Sequence, residues 1–274
     1  MNRKFHFTKA TRKSIEDFVL QRRELQKELP AHDGKAGLVC AALTHTGKVR
    51  PANQDALVVS EEKRIFGVAD GMGGHKGGET ASTGCRDALL AALAEADPGA
   101  DVLRKAIEKA NAALFQQQKE DENLSGMGTT LSVAWLSDSF VYIAHVGDSR
   151  VYCLRDGEFQ QMTDDHSLVE ELVRKGMLTD EEARNHPMRN VILRAVGTEE
   201  DILVDMAVEE RRAGDIWLIC SDGLHGMVPD AEMETILREN EPDQAAELLM
   251  NAALAAGGRD NISLVVLQDK EGAK

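Results

Sequence analysis

Aromatic residues, paired cysteines and long apolar runs are all scarce in this chain of 274 residues. Aromatics make up only 4%, so valine, leucine, isoleucine, alanine and methionine must fill most of the core. The four cysteines, Cys40, Cys85, Cys153 and Cys220, form no C-x-x-C pair, which argues against a zinc site and against a dense disulfide framework. Their wide spacing is typical of reduced, buried thiols.

Basic residues are also in short supply. The chain has 32 lysines and arginines against 47 aspartates and glutamates, a formal net charge of −15. Nucleic-acid binding needs a basic face to meet the phosphates, so this balance argues against it. No apolar run approaches the roughly 18 residues of a membrane span, and the polar N-terminus is unlike a signal peptide. We therefore expect a cytoplasmic protein that has neither nucleic acid nor a membrane as a partner.

The pattern of apolar residues divides the chain at residue 37. Residues 1–36 form a basic segment in which Thr11–Leu29 has the spacing of an amphipathic helix, and a linker follows Pro30. Over residues 37–270, runs of short apolar strands are interrupted by pairs of longer helical segments. This order favours antiparallel sheets covered by helices over a doubly wound parallel sheet. We predict an N-terminal helical extension followed by one α+β domain.

Aspartates mark the ends of the most apolar predicted strands. Asp70, Asp148 and Asp222 each follow such a strand within two residues, and Asp260 comes shortly before the last strand. A single aspartate of this kind is most often only part of a turn, but four of them can direct several carboxylates at one point. Clustered carboxylates repel one another, so the site is stable only when a cation neutralises it. Ligands that are all oxygen indicate Mg²⁺ or Mn²⁺ rather than zinc.

Six short motifs then occur in the order found in a known family. They are Arg50-Pro-Ala-Asn-Gln-Asp55, Asp70-Gly-Met-Gly-Gly-His75, Gly128-Thr-Thr130, Gly147-Asp-Ser-Arg150, Ser221-Asp-Gly223 and Gly258-Arg-Asp-Asn261. Over roughly residues 37–268 they resemble the metal-dependent (type 2C, PPM) serine/threonine protein phosphatases, most closely the bacterial branch. The resemblance implies an α-β-β-α sandwich, two antiparallel sheets flanked by helices, with a metal site at one end.

The resemblance also implies an activity and its cofactors. The expected reaction is hydrolysis of phosphoserine and phosphothreonine on proteins by a hydroxide that bridges two cations, without a phosphoenzyme. Two tightly bound Mn²⁺ or Mg²⁺ ions and a third, looser ion are the implied cofactors. Phosphorylated proteins are the implied partners, so the enzyme is expected to reverse a bacterial Ser/Thr kinase by acting on that kinase or on its targets.

Four residues match the family positions that hold the tight ions. Asp70 would bridge both ions, and the carbonyl of Gly71 would bind one of them. Asp222 and Asp260 would complete the shell of the first ion. Asn261 is interpreted as orienting Asp260 rather than as touching the substrate.

Two further acidic residues match family positions that bind a metal ion less directly or less tightly. Asp55 matches an acidic residue beside the second ion, acting through water. Asp148, together with Asp222, matches the pair that holds the third ion in bacterial relatives. Gln54 departs from the pattern, because many relatives have glutamate there, so that side of the second ion is expected to be held mostly by water.

The expected catalytic groups besides Asp70 are an arginine and a histidine. Arg50 matches the arginine that clamps the substrate phosphate, and its planar fork suits two phosphate oxygens. Met72 stands where animal relatives have a histidine proposed as the general acid. His75 is present in many bacterial relatives and is the candidate to assist, with support of the loop as the alternative role.

Other routes to phosphate chemistry lack their motifs. No cysteine has an arginine six positions later, and neither a D-x-D nor a P-loop occurs. Ser221 is outside the G-x-S-x-G frame of a hydrolase elbow. Two alternatives stay open: a phosphoprotein-binding pseudophosphatase, which should have lost Asp70, Asp222 or Asp260, and a small-molecule phosphatase. Residues 165–190 look like the flap beside the site in this family, which can contact a protein surface.

Overall fold

The computed structural model describes three ranges of the chain, with the backbone alone at residues 74–76: residues 37–179, 182–183 and 186–272. The extension predicted for residues 1–36, with its helix Thr11–Leu29, lies outside these ranges, and the boundary at residue 37 stays a prediction. None of the helices described is both long enough and apolar enough to cross a bilayer.

The described strands form two sheets in which every neighbouring pair is antiparallel. Numbered along the chain, sheet I has the spatial order β1 (Leu38–His45), β11 (Ile262–Asp269), β10 (Ile216–Cys220), β7 (Arg150–Arg155) and β8 (Glu158–Gln161). Sheet II has the order β2 (Asp55–Ser60), β3 (Ile65–Met72), β5 (Leu131–Leu136), β6 (Phe140–Val146) and β9 (Asp205–Glu210), with β4 (Gly128–Thr129) paired to β3.

Helices cover the outer face of each sheet. In chain order the described helices are α1 (Gly74–Leu93), α2 (Ala100–Glu120), α3 (Leu168–Arg174), α4 (Asp222–His225), α5 (Asp230–Glu239) and α6 (Pro242–Ala255). Helices α1 and α2 pack on sheet II, and α5 and α6 pack on sheet I. Helix α2 buries Leu103, Ile107 and Leu114 on one face, as the helical spacing of its apolar residues predicts. Ser167 caps the N-terminus of α3, because its side chain accepts a hydrogen bond from the amide of Glu170.

Buried apolar side chains form three layers. The middle layer lies between the two sheets and contains Phe66, Trp217 and Val265. One outer layer lies between sheet II and its helices and contains Ile107. The other lies between sheet I and its helices and contains Leu249. This arrangement of helix, sheet, sheet and helix confirms the predicted α-β-β-α sandwich.

One strand starts later than its apolar residues predict. The run Ile202–Val208 reads as a strand, but β9 begins at Asp205, where its pairing with His145 of β6 begins. Ile202 and Val204 pack against the core beneath sheet II without joining the ladder, whereas Leu203 is exposed. The apolar run therefore did not mark where strand pairing begins.

A buried ion pair joins the two sheets at the end of the strands opposite Asp70. Arg211 follows β9, and its guanidinium donates to both carboxylate oxygens of Asp269, the last residue of β11. Arg211 also donates to the carbonyl of Ser137, and the amide of Gly272 donates to Asp269. Both partners are almost fully buried, so neither charge can turn to water when its partner is removed.

We predict that Asp269→Ala lowers the free energy of unfolding by about 3–5 kcal/mol, because it removes the carboxylate that neutralises a buried guanidinium. Urea denaturation measures this change. The matched control is Glu234→Ala, which breaks the ion pair of Glu234 with Arg238 on the exposed face of α5, where a change below about 1 kcal/mol is expected. Equal small losses in both variants would contradict the prediction.

Candidate metal centre and active site

Five aspartates come together at one end of the sandwich, from both sheets. Asp55 begins β2 and pairs in register with Asp70 near the end of β3, so sheet II contributes both. Asp222 follows β10 and Asp260 precedes β11, so sheet I contributes these two. Asp148 lies in the connection from β6 to β7, where the chain crosses from one sheet to the other. The aspartates predicted from their positions at strand ends are therefore neighbours.

Burial and mutual repulsion shift the acidity of this cluster. Burial raises the pKa of Asp55 to about 6, against hydrogen bonds from Ser263 and Ser221 that favour the charged form. Burial, with the nearby charge of Asp165, raises the pKa of Asp148 to about 7. The pKa values of Asp70 and Asp222 lie well above the ordinary range because both are partly buried and lie near other carboxylates. Such a cluster is costly to charge unless a cation enters it.

Three of these carboxylates each have one oxygen that lacks a hydrogen-bond partner among the described residues. Asp55 Oδ1, Asp148 Oδ1 and Asp222 Oδ1 are buried and accept no hydrogen bond from the described residues. Buried polar atoms are rarely left in this state in a native protein. Three unpaired carboxylate oxygens in one acidic cluster are the donors that Mg²⁺ or Mn²⁺ prefers. The residues present therefore fit the predicted cations.

Asp260 is engaged on both of its oxygens. Arg50 Nη2 donates to Asp260 Oδ2 at 2.7 Å, and the amide of Asn261 donates to Asp260 Oδ1 at 2.8 Å. Among the residues that the structure describes, no three His, Cys, Asp or Glu side chains form a ready-made ligand shell. A cation that binds Asp260 Oδ2 shares that oxygen with Arg50. The predicted phosphate clamp and a predicted ligand therefore lie in direct contact.

Close backbone contacts leave room only for glycine at position 71. A Cβ at this position would collide with the carbonyl oxygens of Gly78 and Gln54, and the amide of Gly71 donates to the Gln54 carbonyl at 3.2 Å. The backbone of His75 lies in the first turn of α1, but its side chain lies outside the described part of the structure. Its predicted assistance to catalysis stays a prediction.

The Gly-Thr-Thr motif holds the backbone of Asp70. The amide of Asp70 donates to Thr130 Oγ1 at 3.0 Å, and the Asp70 carbonyl accepts from Thr129 Oγ1 at 2.9 Å and from the Thr130 amide at 2.8 Å. Thr130 Oγ1 is also 2.7 Å from Ser149 Oγ, beside Asp148. All these hydroxyls are buried. A continuous hydrogen-bonded path therefore connects Asp70 to the loop of Asp148.

Two supporting contacts were not predicted from the sequence. Ser221 Oγ donates to Asp55 Oδ2 at 2.9 Å, which leaves Oδ1 as the unpaired oxygen. Asp165 forms a two-pronged ion pair with Arg150, with both N–O distances 2.8 Å. The Ser-Asp-Gly and Gly-Asp-Ser-Arg motifs contain Ser221 and Arg150, but nothing in the sequence identifies their partners.

Comparison with known proteins tests the family assignment. The family model described as Protein phosphatase 2C matches residues 45–256. The serine/threonine phosphatase stp of Listeria innocua is 40% identical over 235 residues, which cover 82% of this chain and 93% of that protein. The structure of Stp1 from Staphylococcus aureus superposes with a TM-score of 0.81 at 32% identity, covering 89% of this chain and 100% of that chain.

A second solved structure contains metal. The catalytic domain of the serine/threonine protein phosphatase PstP, in complex with two manganese ions, superposes with a TM-score of 0.78 at 37% identity, covering 85% of this chain and 99% of that chain. The sandwich fold, the carboxylate cluster at its end and these matches together define a metal-dependent protein phosphatase. The chain belongs to the protein phosphatase 2C family. This confirms the predicted enzyme class, a serine/threonine phosphatase that depends on Mn²⁺ or Mg²⁺.

We predict that Asp222→Asn reverses the order of thermal stability between two conditions. In chelator, the variant is expected to melt above the parent, because one buried, repelled carboxylate is gone. In excess Mn²⁺ the parent is expected to melt higher, since a ligand at 100 times its Kd stabilises a protein by about 2.7 kcal/mol and the variant binds the ion weakly. Thermal unfolding with and without Mn²⁺ measures both.

Asp156→Asn is the matched control for this experiment. Asp156 is exposed in the turn between β7 and β8 at a φ of 52°, a conformation that asparagine tolerates. Its melting temperatures are expected to follow those of the parent in both conditions. If Asp222→Asn gains as much from Mn²⁺ as the control does, Asp222 is not a ligand.

Proposed function

We propose that the buried aspartate cluster is the active site at which this phosphatase hydrolyses phosphoserine and phosphothreonine in proteins. The observation that carries the proposal is the group of unpaired oxygens of Asp55, Asp148 and Asp222. The guanidinium of Arg50 lies beside the same cluster, in contact with Asp260. The sequence lacks the motifs of a cysteine-based phosphatase, an aspartyl-phosphate enzyme and a P-loop enzyme.

We assign the metal ligands as follows. Asp70, the carbonyl of Gly71, Asp222 and Asp260 would hold the two tight ions, and Asp55 would act on the second ion through water. Asp148 and Asp222 would hold a third, looser ion. The two manganese ions in the PstP catalytic domain support the count of tight ions. When bound, the cations supply a water of lowered pKa and neutralise charge on the phosphate.

Side chains of the protein itself bind the phosphate and hold the aspartates in position. Arg50 lies at the exposed rim and pairs with Asp260, whose side chain is mostly buried, and it orients the phosphate by donating to two of its oxygens. Ser221 holds Asp55 in one rotamer, and Thr130 fixes the backbone of Asp70. Such pre-formed geometry lets the site stabilise the transition state without rearranging.

The partner and the location of the enzyme are part of the proposal. We propose that it acts in the cytoplasm and reverses a Ser/Thr kinase, by dephosphorylating that kinase or its targets. The family membership supports phosphoprotein substrates. Asp70, Asp222 and Asp260 are all present, which disfavours a pseudophosphatase. A phosphatase for small molecules is the alternative that substrate comparison tests.

We expect the purified protein to hydrolyse phosphothreonine peptides only with added Mn²⁺ or Mg²⁺. Asp70→Asn is expected to lower kcat about a thousandfold, roughly 4 kcal/mol of transition-state stabilisation, because a bridging negative charge is lost while the fold is kept. Steady-state kinetics with and without chelator, with circular dichroism of the variant, measure this. Undiminished turnover in excess chelator, or a preference for small phosphate esters over peptides, would overturn the proposal.

Arg50→Ala is expected to raise KM for a phosphothreonine peptide about tenfold and to change kcat less, because Arg50 binds the phosphate in the ground state. The fold is expected to be unaffected, since Arg50 is exposed at the rim. Arg104→Ala on α2 is the control, because Arg104 is exposed and its ion pairs among the described residues are with Asp101 and Glu108 of its own helix. A change confined to kcat would contradict the assigned role of Arg50.

A further inference from the structure

The loop that carries Arg50 spans residues 46–54 and connects the two sheets. It leaves β1 of sheet I at His45 and enters β2 of sheet II at Asp55. Its tip is exposed, with Val49 at 67% of its full accessibility. An exposed loop of this length loses conformational entropy when it is fixed, so contacts at its base must hold the tip in place. The phosphate-binding geometry of Arg50 depends on those contacts.

A single buried side chain, Asn261, holds both ends of this loop. Its Oδ1 accepts a hydrogen bond from the amide of Gln54 at 2.8 Å. Its Nδ2 donates to the carbonyls of Thr46 and Ala52, each at 2.9 Å. Asn261 is only 4% exposed. Both N–H groups of its side-chain amide and the amide oxygen therefore form hydrogen bonds with the backbone at the two ends of one loop.

The rest of the loop closes over the residues just before Asn261. The amide of Lys48 donates to the carbonyl of Gly258 at 2.7 Å. Gly47 lies so close to the carbonyl of Asp260 that a Cβ would collide with it. This closure brings the Arg50 guanidinium onto Asp260, whose other oxygen is held by the Asn261 amide. Residues 258–261 thus form the platform on which the loop rests.

We infer that Asn261 is the positioning residue for the phosphate-binding loop, acting on substrate affinity through Arg50. The inference rests on the proposed role of Arg50 in binding phosphate. It differs from the expectation that Asn261 orients Asp260, because that contact uses the backbone amide, which every substitution except proline keeps. Among the described residues, every hydrogen bond of the Asn261 side chain goes to the backbone of this loop.

The chain contains a near-duplicate of this arrangement that serves as a control. Asn111 of α2 is 1% exposed, and its Oδ1 accepts from the amide of Gly197 at 2.7 Å. Its Nδ2 donates to the carbonyls of Glu199 and Glu200, each at 3.0 Å. The same three bonds therefore hold a different loop, one that does not carry Arg50. Removing either amide leaves the same number of backbone groups unpaired.

The test compares Asn261→Ala with Asn111→Ala in the full chain with Mn²⁺. Both variants are expected to lose similar thermal stability. Only Asn261→Ala is expected to raise KM for a phosphothreonine peptide, by about tenfold, and only in this variant is the Gln54 amide expected to exchange faster with deuterium. If both variants raise KM equally, the effect is general destabilisation and the inference is wrong. If Asn261→Ala fails to fold, Asn261→Ser, which also removes the side-chain amide but keeps a small polar group, replaces it.

A double-mutant cycle separates the inference from the proposed function. In the Arg50→Ala background, Asn261→Ala is expected to change KM less than about twofold, because its effect runs through Arg50. A full additional increase would show that Asn261 acts by another route and would overturn the inference alone. If Arg50→Ala itself leaves KM unchanged, the proposed role of Arg50 fails and the inference falls with it. Loss of the Mn²⁺-induced rise in melting temperature in Asn261→Ala would also overturn it, by placing the effect at Asp260.

Discussion

Repulsion among buried carboxylates is the constraint on which the rest of this structure depends. Asp55 and Asp148 are buried, Asp70 and Asp222 are partly buried, and all four lie near other carboxylates, so their pKa values are raised. Only a rigid frame can hold such groups together before a cation arrives. The strand ends, the hydroxyl contacts and the crowded glycines at this end of the sandwich all supply that rigidity.

The frame joins the two sheets at the point where the charges meet. Ser221, which follows a strand of sheet I, binds Asp55 of sheet II. Thr130, beside a strand of sheet II, contacts Ser149 in the crossing connection that carries Asp148. Neither sheet contains a complete site. The proposed metal centre therefore depends on how the sheets pack, and the apolar middle layer beneath it sets the distance between the aspartates of the two sheets.

The sequence was informative where a local pattern has a fixed structural meaning. Apolar strands followed by aspartate located Asp70, Asp148 and Asp222, because a strand end has a defined position on a sheet. Partners distant in the chain had no such signal: Ser221 and Asp55 are separated by 166 residues, and Arg150 and Asp165 are separated by 15, with strand β8 between them. The start of β9 was missed because apolar periodicity reports burial and not hydrogen-bonded pairing.

The crossing of the Arg50 loop from β1 to β2 has a mechanical consequence. Its two ends are anchored in different sheets, so a small shear of one sheet past the other moves the arginine relative to the aspartates. Trp217 and Phe66 fill the interface along which such sliding would occur. Substitutions in this interface, remote from any reacting atom, would therefore alter turnover by changing the alignment of the two sheets. The packing of the core thus sets the position of Arg50 relative to the aspartates.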